Sequence, residues 1–335
     1  MVIEVKNIRR SFRSPKKTEG WKGAFELLLH PKYKEHEALK GINFTLEAGS
    51  FNGLIGANGA GKTTLLKILS GLIPPSSGEA RVLGYDPFKR SLPFRKQIAL
   101  VMGQKAQLWW DLPALDAFDL LKAIYEIPDR QYQERLTHLS ELLDVKTHLH
   151  TQIRRLSLGE RMKMELIGAI IHWPRVIFLD EPTIGLDVLA AHKLREFLKI
   201  FNAKEKATVI LTSHNMDDIE KLCSRVLILR SGELIFDGCP DGLTRKGEVS
   251  LRIRLLENPT RSVLASATGL PENAIQETSP NPDETKVIHF NIKQDQIVSV
   301  LQALMKQFQV IDMGIEELSL ETVIQRLYEG DSTKP

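Results

Sequence analysis

The glycine-rich stretch at residues 56–63, GANGAGKT, restricts what this chain can fold into more than any other feature of its sequence. It follows a short apolar run, FNGLIG, and precedes a helical pattern at residues 64–69. A loop of this composition between a strand and a helix is the phosphate-binding loop pattern. Further apolar strands, at residues 176–179, 208–212 and 226–229, are each preceded by a helical stretch. This repetition predicts an α/β domain with a parallel sheet.

The loop residues have distinct expected roles in holding the phosphates of a nucleotide. Glycines allow the backbone to curl, so that successive N–H groups point at phosphate oxygens, and the N-terminus of the following helix adds a favourable dipole. Lys62 can reach the β- and γ-phosphates, and the Thr63 hydroxyl can ligate Mg²⁺. The residues expected to bind the nucleotide here are Gly56, Asn58, Gly59, Ala60, Gly61, Lys62, Thr63 and Thr64.

Two carboxylates, Asp180 and Glu181, follow the apolar run at residues 176–179. An apolar strand that ends in this way fits a Walker B strand, which places Asp180 near the coordination shell of Mg²⁺. Glu181 is positioned to polarise an attacking water as a general base. Acidic residues are common at strand ends, so the pattern gains its weight from its position downstream of the phosphate loop.

A third motif, LSLGE at residues 156–160, leads into a helix. Ser157 and Gly159 at a helix start indicate an anion site, because a hydroxyl and free N–H groups face outward there. Ser157 with Glu160 three residues later is also a capping box, in which each side chain satisfies a backbone N–H of the other residue. Both interpretations hold together if the capped helix end presents its dipole to a nucleotide.

In chain order, the phosphate loop, the Ser-x-Gly helix start, the Asp-Glu strand end and Ser213-His214 resemble the nucleotide-binding subunit of ABC transporters. The resemblance covers roughly residues 1–240. It implies a P-loop ABC cassette of the α/β class, with a parallel core sheet, an antiparallel β subdomain and a helical subdomain at about residues 107–171. It also implies an ATPase that uses ATP and Mg²⁺, works as a head-to-tail pair of identical chains and drives separate transmembrane permease subunits.

The same resemblance implies further site residues by position. Gln104 corresponds to the glutamine that senses Mg²⁺ and the membrane partner, and Asp187 lies in the loop that crosses the dimer interface. His214 corresponds to the switch histidine that contacts the γ-phosphate. Phe12 corresponds to the aromatic residue that stacks on adenine, and packing in the core is the alternative for its ring.

The helix-start motif departs from the family pattern at two positions, since LSLGE stands where the family has LSGGQ. Leu158 is tolerable if its side chain faces away from phosphate. Glu160 adds a negative charge near the nucleotide, and this charge would slow hydrolysis unless the capping role turns the carboxylate back toward the helix. Ser157 and Gly159, on the phosphate side, are intact.

The pattern changes after Pro240 and predicts a small α+β domain over residues 241–335 with an accessory or regulatory role. Its predicted strands are at residues 249–255, 286–292 and 310–314, and its predicted helices are at residues 294–308 and 318–328. The closing stretch IEELSLETVIQRLYEG is similar to the tails of drug- and polymer-export ATPases, which favours the ABC-2-type exporter group. An importer motor with a ligand-sensing C-terminal domain, or a non-transport ABC ATPase, is the alternative.

An insert at roughly residues 13–37 separates the first β-type segments. It carries Trp21, Phe25 and an apolar run among several lysines, and it predicts a short amphipathic helix. Packing on the edge of a β layer and contact with a membrane partner or lipid headgroups are its two interpretations. Trp109 and Trp110 likewise fit either the core of the helical segment or a socket for a permease.

Charge and composition limit which partners and which location are expected for this chain. The net charge of +3 is too close to neutral for a dedicated nucleic-acid binder. The N-terminus is charged where a signal peptide needs an apolar core, and no apolar run approaches the roughly 20 residues that cross a bilayer. We therefore expect a peripheral protein on the cytoplasmic face of the inner membrane, with the transported substrate carried by the permease.

Overall fold

The computed structural model describes residues 1–15, 33–103, 106–243, 248–278, 287–317, 320 and 322–324. The chain divides into two compact units, Met1–Pro240 and Asp241–Pro335. The described strands of the first unit are β1 (Ile3–Pro15), β2 (Tyr33–Leu46), β3 (Phe51–Gly56), β4 (Ser77–Val82), β5 (Ile98–Met102), β6 (Val176–Asp180), β7 (Thr208–Thr212), β8 (Arg225–Arg230) and β9 (Glu233–Gly238). Its described α-helices are α1 (Lys62–Leu69), α2 (Leu92–Arg95), α3 (Ala114–Tyr125), α4 (Asp129–Leu142), α5 (Leu158–Ile170), α6 (Val188–Glu205) and α7 (Met216–Leu222).

The central sheet of the first unit has the strand order β5-β6-β7-β3-β8-β9 in the described part of the chain. β5, β6, β7, β3 and β8 run parallel, and β9 joins the edge in antiparallel orientation. Every residue of β3 and β7 is buried, as expected for central strands of a parallel sheet covered on both faces. The carboxyl ends of β3, β6 and β7, at Gly56, Asp180 and Thr212, meet at one edge of this sheet, and the predicted parallel sheet is confirmed.

An antiparallel sheet of order β2-β1-β4 completes the β structure described for this unit. Its inward residues include Ile3, Ile8 and Leu46, which belong to the same buried cluster as Leu66 of α1 and Phe178 of β6. The antiparallel sheet therefore shares its apolar core with the phosphate-loop helix and the parallel sheet. This shared core fixes the position of α1, at whose N-terminus the phosphate loop ends.

The hairpin of β1 and β2 corrects the prediction for the insert at residues 13–37. The two strands stay paired as far as Pro15 and Tyr33, so both ends of the predicted amphipathic helix are strand and the prediction is wrong there. The backbone groups of these residues are satisfied across the hairpin, which leaves no need for helical hydrogen bonds. Residues 16–32, with Trp21, lie outside the described residues.

Helices α3, α4 and α5 form the helical part of the first unit, within the range predicted for it. Phe118 of α3 and Tyr132 of α4 are fully buried. Glu165 of α5 is buried too, and its carboxylate accepts the backbone N–H groups of Gln107 and Leu108. This bond set ties the segment before α3 to α5. Among the described helices, none is both long enough and apolar enough to cross a membrane.

The second unit has the element order βαββαβ over its described residues. Its elements are β10 (Glu248–Leu255), α8 (Arg261–Thr268), β11 (Ile275–Thr278), β12 (Val287–Lys293), α9 (Ile297–Met305) and β13 (Val310–Glu317). The strand order is β11-β12-β10-β13, all antiparallel, and Leu251 and Phe290 pack against Leu264 of α8 and Leu304 of α9. The predicted fold class, an ABC-type α/β cassette with a small α+β domain, is confirmed. The sequence prediction missed α8 and β11, and most of the predicted helix at residues 318–328 lies outside the described residues.

Candidate nucleotide-binding site

The phosphate loop connects the end of β3 at Gly56 with the start of α1 at Lys62. Gly59 and Gly61 have φ values of 81° and 109°, in the left-handed region that favours glycine. A Cβ at Gly61 would lie 2.6 Å from the carbonyl oxygen of Ala38, so a side chain has no room there. No side chain among the described residues caps the N-terminus of α1, and its first N–H groups therefore remain available to an anion.

Lys62 is almost fully buried beneath this loop, with 6% of its surface exposed. Its Nζ donates to the carbonyl oxygens of Gly56, at 2.5 Å, and of Ala57, at 3.3 Å. Burial lowers the pKa of Lys62, while the nearby carboxylates of Glu181 and Asp180 act in the opposite direction. A polyphosphate at the loop would add negative charge beside this side chain and stabilise its charged form.

The other predicted nucleotide contacts on this side lie around the loop and on β1. Asn58 is exposed at the loop tip, Ala60 is buried, and Thr64 is half-buried in the first turn of α1. Phe12 of β1 is 38% exposed, and the guanidinium of Arg10 lies 4.7 Å from the centre of its ring. Phe12 is therefore not a core residue, and the stacking of its ring on adenine stays a prediction.

Asp180, at the end of β6, accepts hydrogen bonds from two hydroxyl groups. Thr63 Oγ1 donates to its Oδ2 at 2.9 Å, and Thr212 Oγ1 donates to its Oδ1 at 2.7 Å. Within the described ranges, no group of three or more His, Cys, Asp or Glu side chains could hold a metal. A cation bound by Thr63 and Asp180 would complete its shell with water and phosphate oxygens, as Mg²⁺ does in nucleotide sites, so the pair fits Mg²⁺.

Glu181 and His214 are in contact beside Asp180. His214 Nε2 lies 2.9 Å from Glu181 Oε1, and the Glu181 side chain is 20% exposed. Glu181 adopts a left-handed backbone with φ of 55°, and its N–H donates to the carbonyl oxygen of Thr212 at 3.1 Å. The Glu181 carboxylate that contacts His214 is thus carried on a residue with an unusual backbone conformation. Thr212, which holds both Asp180 and Glu181, was missed by the sequence analysis because a hydroxyl at the end of a buried strand carries no local signal.

Gly103, at the end of β5, lies against the backbone of Glu181. Its N–H donates to the carbonyl oxygen of Asp180 at 2.8 Å, and a Cβ on it would overlap the Glu181 carbonyl group. Gln104, predicted to sense Mg²⁺ and the membrane partner, follows directly but lies outside the described residues. Its role stays a prediction.

The predicted capping box at the start of α5 is confirmed. The Glu160 carboxylate accepts the N–H of Ser157 at 2.9 Å and its hydroxyl at 2.7 Å, and Glu160 N–H donates back to Ser157 Oγ. His148 Nε2 lies 3.1 Å from the other Glu160 oxygen. The hydrogen bonds from the Ser157 hydroxyl and backbone lower the pKa of Glu160, aided by His148 and Lys163. The carboxylate is therefore turned back over its own helix end, as the capping role requires.

Leu158 and Gly159 of the LSLGE motif lie against the segment that follows β6. A Cβ at Gly185 would lie 2.9 Å from Leu158 Cδ2, so Leu158 lies against this glycine. Asp187 caps α6, where its carboxylate accepts the N–H of Ala190 at 2.8 Å. A Cβ on Gly159 would meet the Ala190 side chain at 3.4 Å. The starts of α5 and α6 thus lie side by side.

The predicted site residues fall into two groups. Lys62, Thr63, Asp180, Glu181 and His214 are linked through hydrogen bonds or close charges. Over the described part of the chain, no hydrogen bond or ion pair connects this group to Ser157, Gly159 or Asp187, whose partners all lie near the starts of α5 and α6.

Several known proteins are similar to this chain. The family model described as ABC transporter matches residues 39–184. The ABC transporter ATP-binding protein NatA of Bacillus subtilis is 31% identical over 212 residues, which are 63% of this chain and 86% of that protein. Daunorubicin resistance ATP-binding protein DrrA2 of Streptomyces coeruleorubidus is 29% identical over 304 residues, which are 89% of this chain and 92% of that protein.

An importer component is similar as well. Methionine import ATP-binding protein MetN 2 of Enterococcus faecalis is 30% identical over 224 residues, 66% of this chain and 65% of that protein. Among solved structures, an ATP-binding subunit of an ABC transporter matches with a TM-score of 0.60 and 26% identity, over 72% of this chain and 92% of that one. Because NatA matches over most of its own length, the chain belongs to the ATP-binding proteins of ABC transporters, and it is an ATPase.

Proposed function

We propose that this chain is the motor subunit of an ABC-2-type exporter. Two copies bind and hydrolyse ATP with Mg²⁺ and drive a separate permease from the cytoplasmic face of the inner membrane. The observation that carries ATP hydrolysis in this proposal is the cluster of Lys62, Thr63, Asp180, Glu181 and His214 at the carboxyl edge of the parallel sheet, next to the phosphate loop. The cluster combines an anion cradle, a cation site and a carboxylate beside an imidazole. Transfer of a phosphoryl group from ATP to water requires these three parts.

Each residue of this cluster has a task in hydrolysis. Lys62 and the loop N–H groups bind the β- and γ-phosphates. Thr63 and Asp180 would hold Mg²⁺, which would supply positive charge to neutralise the phosphate oxygens. Glu181 takes a proton from the attacking water as the general base, and the contact of 2.9 Å with His214 holds the orientation of its carboxylate.

A second copy of the chain is proposed to supply the anion site at the start of α5. Val188 is 84% and Leu189 64% exposed, with Ile184 and Leu158 exposed beside them, and such a patch supports an interface. Closure on ATP would add the α5 N-terminus to the γ-phosphate, and hydrolysis removes that interaction. A ligand shifts a conformation only through differential affinity, so the difference between ATP and ADP can drive opening.

A groove between β5, α3 and α5 supports docking of the permease. It has a volume of about 290 Å³, and its lining includes Leu108, Leu121 and Tyr125. Trp109 and Trp110 directly follow Leu108 and are 45% and 49% exposed, so they do not pack in the core of the helical part. Exposed aromatic residues next to an apolar groove favour contact with a partner segment.

Export is favoured over import by the extent of the match to DrrA2. That match covers 89% of this chain, so it continues past Pro240, whereas the match to MetN 2 covers 66%. Import remains the alternative, with the second unit as a ligand sensor. Export and import are distinguished by reconstitution in liposomes of the chain together with the permease that co-purifies with it. An export motor hydrolyses ATP there without any added solute-binding protein, and an import motor requires one.

The second unit is proposed to regulate or to pair the cassettes. Its described residues carry their own apolar core, and the predicted catalytic residues all lie before Pro240. A chain truncated after Leu243 should fold and bind ATP, with altered turnover or weaker pairing. Loss of nucleotide binding in soluble truncated protein, measured by titration with a fluorescent ATP analogue, would contradict this assignment.

Mixed dimers test the shared site. Lys62→Ala and Ser157→Arg chains should each be inactive alone, because every site in each homodimer carries a lesion. In the mixed dimer one site carries both lesions and the other combines an intact Lys62 with an intact Ser157, so ATPase activity should return on mixing.

Mixing Lys62→Ala with Glu181→Gln is the matched control for this experiment. Both lesions lie on the same side of the site, so each site of that mixed dimer keeps one lesion and activity should stay absent. Robust ATPase activity of Ser157→Arg protein at concentrations where it is monomeric would overturn the two-copy mechanism.

A further inference from the structure

Asp218, in the first turn of α7, is a buried carboxylate with no role in the site described above. Its side chain is fully buried, and Arg195 of α6 is 7% exposed. Arg195 donates to Asp218 Oδ1 at 2.8 Å. A buried carboxylate is costly unless it is paired and hydrogen-bonded, and this one has both kinds of partner.

The second oxygen of Asp218 connects two loops. Asp218 Oδ2 accepts the hydroxyl of Thr183 at 2.6 Å and the hydroxyl of Ser213 at 2.6 Å. Thr183 belongs to the loop after β6, and Ser213 to the loop after the neighbouring strand β7. Hydrogen bonds to an ionised acceptor are shorter and stronger than neutral ones, so this carboxylate clamps the two loops at one point.

The clamped residues are close in sequence to Glu181 and His214, which are in contact at the site. Thr183 lies two residues after Glu181, and Ser213 directly precedes His214. We propose that Asp218 is a positioning residue for ATP hydrolysis, because its carboxylate holds Thr183 and Ser213 so that Glu181 and His214 meet. The inference rests on the proposed function, in which Glu181 is the general base.

The backbone conformation of Glu181 also depends on contacts from outside its own segment of the chain. Glu181 has a left-handed backbone, a conformation that surrounding contacts must maintain in a non-glycine residue. Thr212 holds its N–H, and Asp218 holds the chain two residues later. A misplacement of about 1 Å at a reacting group can cost about 10²-fold in rate, so a loop released at Thr183 should lower turnover without weakening ATP binding.

Hydroxyl deletions test the clamp in the full-length chain with Mg²⁺ and ATP. Thr183→Val keeps the shape of the side chain and removes the donor, whereas Thr183→Ser keeps the donor. We expect Thr183→Val to lower kcat by roughly 10-fold to 10²-fold with unchanged affinity for ATP, and Thr183→Ser to retain activity. Ser213→Ala should behave as Thr183→Val does. Asp217→Asn, a change at the exposed neighbour of Asp218, should leave kcat unchanged.

A double-mutant comparison separates positioning from a general loss of folded protein. If Thr183 acts through the contact between Glu181 and His214, Thr183→Val should cost little further activity in a His214→Ala background, since contributions through one network are not additive. An undiminished cost in that background would overturn the inference. A wild-type kcat for Thr183→Val would overturn it as well.

Glu181→Gln distinguishes failure of this inference from failure of the proposed function. If Glu181→Gln hydrolyses ATP at a normal rate, the proposed role of Glu181 is wrong and the inference falls with it. If Glu181→Gln is inactive and Thr183→Val is fully active, only the positioning role of Asp218 is wrong. Thermal melting of each variant checks folding, and Thr183→Ser provides the folded reference if Thr183→Val melts early.

Discussion

Substitution of Gly103 by alanine is a stringent test of the site, because it adds one carbon atom where β5 meets the end of β6. The new Cβ would overlap the carbonyl oxygen of Glu181 and lie 2.9 Å from its carbonyl carbon, inside the 3.0 Å below which Cβ contacts essentially never occur. Both neighbours are backbone atoms, so no side chain can swing away. Gly103 N–H also donates to the Asp180 carbonyl oxygen, which prevents the two strand ends from separating freely.

The clash must therefore displace the backbone of Glu181 by about 1 Å, and a displacement of that size at a catalytic group costs about 10²-fold in rate. ATP binding should survive, because the atoms nearest to the new Cβ belong to Glu181 and Asp180 and not to Lys62 or the phosphate loop. Steady-state ATPase activity and ATP affinity of the purified chain are the two measurements. A fall in kcat of roughly two orders of magnitude at unchanged affinity is expected.

Gly242→Ala is the matched control for this substitution. A Cβ at Gly242 would meet no atom of the described residues within 4 Å, and its backbone needs no left-handed φ, so activity should equal that of the unmodified chain. Folded Gly103→Ala protein that hydrolyses ATP at the normal rate would refute the reasoning. It would show that the end of β5 does not constrain Glu181.

Two further predictions concern the charges at the site. Glu181→Gln should lower kcat by about 10² to 10⁴ while the variant still binds ATP and accumulates as a closed dimer by size-exclusion chromatography; near-normal turnover would remove Glu181 from the role of base. The pKa of Glu160 is lowered in the fold by the Ser157 hydrogen bonds, so its contribution to stability is present above its unfolded pKa and is lost as pH falls through its folded pKa. Glu160→Gln keeps the cap but has no charge to titrate. As pH is lowered through the acid range below the ordinary glutamate pKa of about 4.3, this variant should lose less stability than the unmodified chain, measured by urea unfolding. Equal losses of stability would contradict the assignment.

The sequence alone determined the features that depend on neighbouring residues. The phosphate loop is a continuous run, and its glycines, Lys62 and Thr63 are recognisable because a tight anion cradle needs those residue types in that order. The capping box of Ser157 and Glu160 is equally local, since its two bonds span three residues. Buried strands such as β7 were correctly predicted because burial on both faces favours a run of apolar residues, here Val209 to Leu211.

Elements whose pattern is weak were missed from the sequence. β4, with the sequence SGEARV, has two buried residues and four exposed ones, so its pairing with β1 decides its conformation more than its own composition does. Pairing with β1 also decides the conformation of residues 33–37. The sequence pattern predicted a helix there, but these residues instead extend β2 along β1. The sequence of one strand does not by itself determine which strand it pairs with in a sheet.

Only the tertiary structure decided which polar groups meet at the catalytic edge. Thr212 and Asp180 are 32 residues apart in the chain, yet their hydrogen bond is 2.7 Å long because β6 and β7 are adjacent parallel strands. Asp218 appeared in the sequence as one acid among several, and its burial on Thr183 and Ser213 became visible only in the fold. The physical reason is that hydrogen bonds and exclusion of water depend on distances in space, whereas a sequence displays only separations along the chain.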